Sequence, residues 1–114
     1  LREFLFAGDL ADAAVFLMER HSAAYLRNEA GDFVNVGTGE ELSIKELAEM
    51  IRTVVYEGCS QSCKIDWDTS KPNGTPRKFC DVSRLAALGW TAKTDIYEGI
   101  KIAYDDFLHG EVRK

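Results

Sequence analysis

The residues best suited to chemistry gather in one polar stretch, residues 68–80, DTSKPNGTPRKFC. Lys71, Arg77 and Lys78 fall within eight residues, with no acid between them. Arginine presents paired donors in a planar fork and lysine a compact point charge. Such a cluster therefore suits a phosphate or diphosphate. Pro72 and Pro76 stiffen the backbone and lower the cost of ordering it around a ligand. Asn73 adds an amide that both donates and accepts. A solvated surface loop has the same composition, so composition alone leaves both readings open.

Other chemistry is weaker in the sequence. Gly37-Thr38-Gly39 has two glycines where a dinucleotide loop needs three, and it reads as a tight turn more readily than as a phosphate cradle. We assign no acid–base set and no cofactor-binding residue. None of Tyr25, Tyr56, Tyr97 and Tyr104 is assigned to a Tyr-x-x-x-Lys pair. His21 is read as a helix-terminal histidine, favoured there by the helix dipole. Cys59, Cys63 and Cys80 are odd in number and irregularly spaced, with no histidine pair nearby. They read as ordinary thiols, with no metal site.

The totals narrow the class. The chain has 114 residues, with 46% hydrophobic and 29% charged, which suits one small globular α/β domain spanning 1–114. The net charge of −5 argues against nucleic acid as a partner, since that binding runs on a basic surface. No apolar run approaches the ~20 residues that cross a bilayer. A cytoplasmic location is expected.

Local pattern supplies the elements that must carry the basic loop. Short apolar runs predict strands at Glu3–Phe6, Phe33–Val36 and Lys64–Trp67. Apolar residues at helical spacing predict four helices. The first runs from about Asp9, its expected N-cap, to Arg20, with Leu10, Ala13, Ala14 and Leu17 on one face. The second follows a Ser43-x-x-Glu46 capping box and ends near Gly58, with Ile44, Leu47, Ala48, Ile51 and Val55 inward. The third is short, capped by Ser83 and stopped by Gly89, with Trp90 as an anchor. The last spans about Asp95 to Leu108, with Ile96, Ile100, Ala103, Tyr104 and Phe107 inward. Residues 21–31 read as a loop, and the tail from Gly110 as frayed.

Three stretches carry a family resemblance. Residues 2–12, REFLFAGDLAD, resemble the opening of the C-terminal region of GDP-L-fucose synthases. Residues 34–49, VNVGTGEELSIKELAE, resemble the glycine turn and helix of extended short-chain dehydrogenases in general. Residues 66–90, DWDTSKPNGTPRKFCDVSRLAALGW, are the most specific, being similar to the SKPDGTPRK-type loop of the fucose synthases and the helix after it.

The resemblance implies a small C-terminal substrate-binding domain of an extended short-chain dehydrogenase/reductase, with the N-terminal Rossmann domain outside this chain. The whole enzyme would take GDP-4-dehydro-6-deoxy-D-mannose to GDP-L-fucose by 3,5-epimerisation and then 4-reduction with NADP(H), as a homodimer. The family's proton- and hydride-transferring residues lie upstream, so no catalytic residue is expected here, and no cofactor bound by this part alone. The carried-over roles are substrate contacts. Arg2 matches an arginine at the nucleotide-sugar diphosphate, and Lys78 a basic residue at the same ligand. Asn73 stands where the family usually has Asp. Phe6 stands where many members have His, which implies a structural role. Two other readings remain: another nucleotide-sugar epimerase or dehydratase of the superfamily, and a stand-alone binding module.

Overall fold

The computed structural model describes residues 1–22, 33–61 and 63–110. Helices dominate: α1 (Ala7–Arg20), α2 (Ile44–Val55), α3 (Ser83–Ala87) and α4 (Ile96–His109). All four expected helices are present. The loop expected at 21–31 and the tail after Gly110 lie almost wholly outside the described residues.

The expected strands are corrected. Among the described residues only isolated bridges form, Arg2 antiparallel to Leu42 and parallel to Lys78. Residues 3–6, 33–36 and 64–67 have strand-like side chains but take no ladder partner. β-propensity reflects packing on neighbouring strands and does not make a strand by itself.

Helix caps divide the same way. The capping box at α2 is complete: Glu46 N donates to Ser43 Oγ at 3.1 Å, and Ser43 N donates to Glu46 Oε2 at 2.7 Å. Asp95 caps α4 by accepting from Tyr97 N. The two other expected caps are corrected. α1 starts at Ala7 with no side-chain cap, and Asp9 faces inward. α3 has Val82 at its N-cap position, and it is Asp81 that accepts from Ser83 N, at 2.9 Å. Gly89, at φ +102°, ends α3 in the left-handed region, which glycine enters at little cost.

The main core is small. Ala13 of α1, Leu85 of α3 and Trp90 are buried together, with Phe16, Leu17, Val34, Val36 and Ala92 packed against them. Asp9 and Asp12 fasten α1 to the turn after Trp90. Asp9, 5% exposed, accepts from Lys93 N at 3.0 Å, Thr94 N at 2.8 Å and Thr94 Oγ1 at 2.8 Å. Burial raises its pKa, but these donors outweigh burial and hold it below the ordinary value. Asp12 accepts from Trp90 Nε1 and Lys93 Nζ. A second layer forms where α2 packs on α4, with Val54 buried. Several residues expected inside are exposed instead: Leu10, Ala14, Ile44, Ile51, Ala103 and Phe107. Phe6, half-buried, lies against Gly99 of α4, as its expected structural role requires.

Candidate functional site

The basic loop is held where its ends meet residues 1–3 and 42. Arg2 N donates to Leu42 O, and Leu42 N to Arg2 O, both at 2.9 Å. On the other side Lys78 N donates to Leu1 O at 3.2 Å. Arg2 thus lies between Leu42 and Lys78. Its guanidinium also comes close to Gly74, 3.4 Å from where a Cβ would stand. The structure therefore brings Arg2, the Asn73-Gly74 turn and Lys78 into one neighbourhood. Asn73 and Lys78 are exposed and Arg2 is half-buried.

One carboxylate ties this neighbourhood together. Glu3 Oε1 accepts from Thr38 N and Gly39 N, each at 2.7 Å, and Oε2 accepts from Cys80 N at 2.8 Å. A Cβ on Gly37 would run into this carboxylate, so a larger residue there would have to displace the Glu3 side chain. Burial pushes the Glu3 pKa up, but the donors at Cys80, Gly39 and Thr38 outweigh it and bring it below the ordinary value. The glycine turn is thus an anion nest whose anion is internal. Its amides are already used, so they do not fit the pyrophosphate of NADP(H).

The basic cluster divides into two kinds of residue. Arg77 forks onto Glu41, with Nε 2.8 Å from Oε1 and 2.9 Å from Oε2, and Nη2 donating to Oε2 as well. Its guanidinium stacks 4.2 Å from the centre of the Phe79 ring. Among the described residues no carboxylate pairs with Arg2, Lys71 or Lys78. Here Arg2, Lys71, Arg77 and Lys78 outnumber Glu3 and Glu41, although the chain as a whole is acidic. The Arg2 guanidinium donates from Nη1 to Leu1 O at 2.7 Å, while Lys71 and Lys78 are exposed cations of the kind an anionic ligand requires.

Concave surface elsewhere serves other ends. A cleft of about 280 Å³ between α1 and the turn at 89–93 is lined by Asp12, Phe16, Arg20, Trp90 and Lys93, and Asp12 there is already bonded to Trp90 and Lys93. The three cysteines are free and exposed. Among the described residues, no group of three or more His, Cys, Asp or Glu is placed to hold a metal ion. The expectation about tyrosines needs correcting: Tyr97 does stand four residues ahead of Lys101. Lys101 Nζ lies 5.8 Å from the centre of the Tyr97 ring and 3.9 Å from Glu98 Oε1, on the flank of α4. This is a charge contact on the surface of α4. Glu3 and Glu41 matter more than their sequence context signals. The one hint was their place beside Arg2 and Leu42, whose pairing is non-local.

No family model matches the chain. Curated relatives do. The chain is 48% identical over 109 residues to GDP-L-fucose synthase 1 of Arabidopsis thaliana, covering 95% of this chain and 30% of that protein. It is 40% identical over 116 residues to GDP-L-fucose synthase of Escherichia coli strain K12, covering 99% and 35%. Two solved structures from C. jejuni share its fold. One, a GDP-6-OMe-4-keto-L-xylo-heptose reductase, has a TM-score of 0.81 at 34% identity over 96% of this chain and 31% of that one. The other, a GDP-D-glycero-L-gluco-heptose synthase in the presence of NADPH, has a TM-score of 0.74 at 32% identity over 94% and 30%. The chain spans about a third of the length of these relatives and matches the C-terminal portion of the curated ones.

Proposed function

We propose, from the premise that the chain is homologous to GDP-L-fucose synthases, that it is the substrate-binding part of such an enzyme. The whole protein would convert GDP-4-dehydro-6-deoxy-D-mannose to GDP-L-fucose by 3,5-epimerisation followed by 4-reduction. In this reading residues 1–114 form a C-terminal α/β substrate domain. The NADP(H)-binding Rossmann domain and the acid–base residues belong to the rest of the enzyme, a cytoplasmic homodimer.

The observation that carries the reading is the pairing of Arg2 with Lys78 across the backbone, with the Asn73-Gly74 turn beside them. Arg2 supplies a fork for two oxygens of the diphosphate, and Lys78 a second positive charge. Asn73 offers an acceptor to a sugar or ribose hydroxyl without the charge of an Asp. Contacts this far from the reacting sugar carbons act by positioning: they hold the hexose for groups supplied elsewhere. The chain by itself is expected to bind GDP-sugars weakly and to turn over nothing.

A titration of the chain with GDP, GDP-mannose and UDP tests this. Tighter binding of the two guanosine ligands than of UDP supports it. Preference for UDP would move the assignment to a uridine-sugar enzyme of the same superfamily. No binding to any of the three would mean that the half-site needs the rest of the enzyme or that the loop is only surface.

A further inference from the structure

We infer that Arg77 is a positioning residue, and that Arg77 and Glu41 form a latch holding the basic loop so that Lys78 stands beside Arg2. This rests on the diphosphate reading above and adds to it a division of labour between neighbouring basic residues.

The reasoning starts from backbone pairing. Residues paired directly across extended segments place their side chains on the same face, and their immediate neighbours point to the opposite one. Arg2 pairs with both Leu42 and Lys78. Arg2 and Lys78 therefore share one face. Glu41 precedes Leu42 and Arg77 precedes Lys78, so these two share the other face. They meet there in the bidentate pair, and Phe79, on the far side of Lys78, stacks on the same guanidinium. The Glu3 carboxylate, one residue from Arg2, likewise turns to amides and not toward Arg2.

Two consequences follow. Arg77 does not reach a ligand seated on the Arg2–Lys78 face, although by sequence it is the best diphosphate binder in the loop. The ion pair also lies one residue away from each backbone pairing that flanks Arg2. Breaking it frees the 71–78 loop at the point where Lys78 is placed. The Glu41 side chain is 14% exposed and the Arg77 side chain 59%, so the pair is sheltered on its carboxylate side only.

The test uses the full chain in four variants: Arg77→Ala, Glu41→Ala, the swapped double variant Glu41→Arg with Arg77→Glu, and Arg2→Ala. GDP affinity is read by calorimetry, and amide hydrogen exchange at Leu42 and Lys78 by NMR. A latch predicts that each latch single weakens GDP by about tenfold. The swap should recover most of that loss, and exchange at Lys78 should rise in the singles and return in the swap. If the swap restores protection but binds GDP as poorly as Arg77→Ala, Arg77 touches the ligand and the inference is wrong. Wild-type affinity in both singles overturns it as well. If Arg2→Ala binds as well as wild type, or the wild type itself does not bind GDP, the diphosphate reading fails and exchange alone decides. Unchanged exchange at Lys78 in Glu41→Ala then refutes the latch, and faster exchange there upholds it.

Discussion

At the scale of single residues, the site depends on which face a side chain takes. Arg2 and Lys78 are distant in sequence but adjacent across a backbone pairing, whereas Arg77 and Lys78 are adjacent in sequence and face apart. The basic loop was visible in the sequence as a run of like charges. The division of that run between Lys78, paired with Arg2, and Arg77, bonded to Glu41, was not, because it depends on the non-local pairings of Arg2. The buried Asp9 was misread for a related reason. Asp9 looked like a helix cap because a cap is a local role, yet its donors are Lys93 and Thr94, far along the chain. Glu3 and Asp9 both have pKa values held below the ordinary 4.5 and 3.8. The unfolded chain then takes up protons first on acidification. Their stabilisation is complete above those ordinary values and is lost as pH falls through the lower folded-state values. Glu3→Gln and Asp9→Asn are each expected to flatten the fall in urea midpoint between about pH 5 and pH 3. A slope as steep as that of the wild type in both variants would show that neither carboxylate carries the acid sensitivity. At neutral pH, Asp9→Ala is expected to cost about 3 kcal/mol, because three donors lose their acceptor in a buried place.

At the scale of elements, helices were legible and strands were not. Period, cap and stop signals are local, and all four helices follow from them. Strand formation needs a partner edge, and among the described residues 3–6 and 33–36 have the right side chains without one. The α2 capping box is the clearest local device. Ser43→Ala removes the acceptor for Glu46 N and is expected to cost about 1 kcal/mol, seen as a lower melting temperature with the Arg2–Leu42 pairing retained. Leu85 is the fully buried side chain that joins α3 to α1. Leu85→Ala is expected to cost about 3 kcal/mol in urea unfolding. A loss under 1 kcal/mol would mean that the α1–α3 junction is not a central support of the chain.

At the scale of the whole molecule, little is buried and much apolar surface is open. The radius of gyration is 17.6 Å, against about 13 Å for a compact chain of this length. Met18 is 84% exposed and Phe107 70%. The chain spans about a third of the length of its curated relatives. The inward faces expected for α1 and α4 are partly outward: periodicity shows that a face is apolar and says nothing of what covers it. Among the described residues no helix is long and apolar enough to cross a membrane.

The most direct test of the central claim is a GDP titration of the isotopically labelled chain followed by the backbone amide resonances. A diphosphate on the Arg2–Lys78 face should shift the amides of Arg2 and of residues 73–75, 77 and 78 and leave Thr38 and Gly39 on their Glu3 carboxylate; in Arg2→Ala and Lys78→Ala the shifts should be lost. Shifts centred on Thr38 and Gly39, with residues 73–78 unmoved, would place the phosphates at the glycine turn and contradict this account of the site.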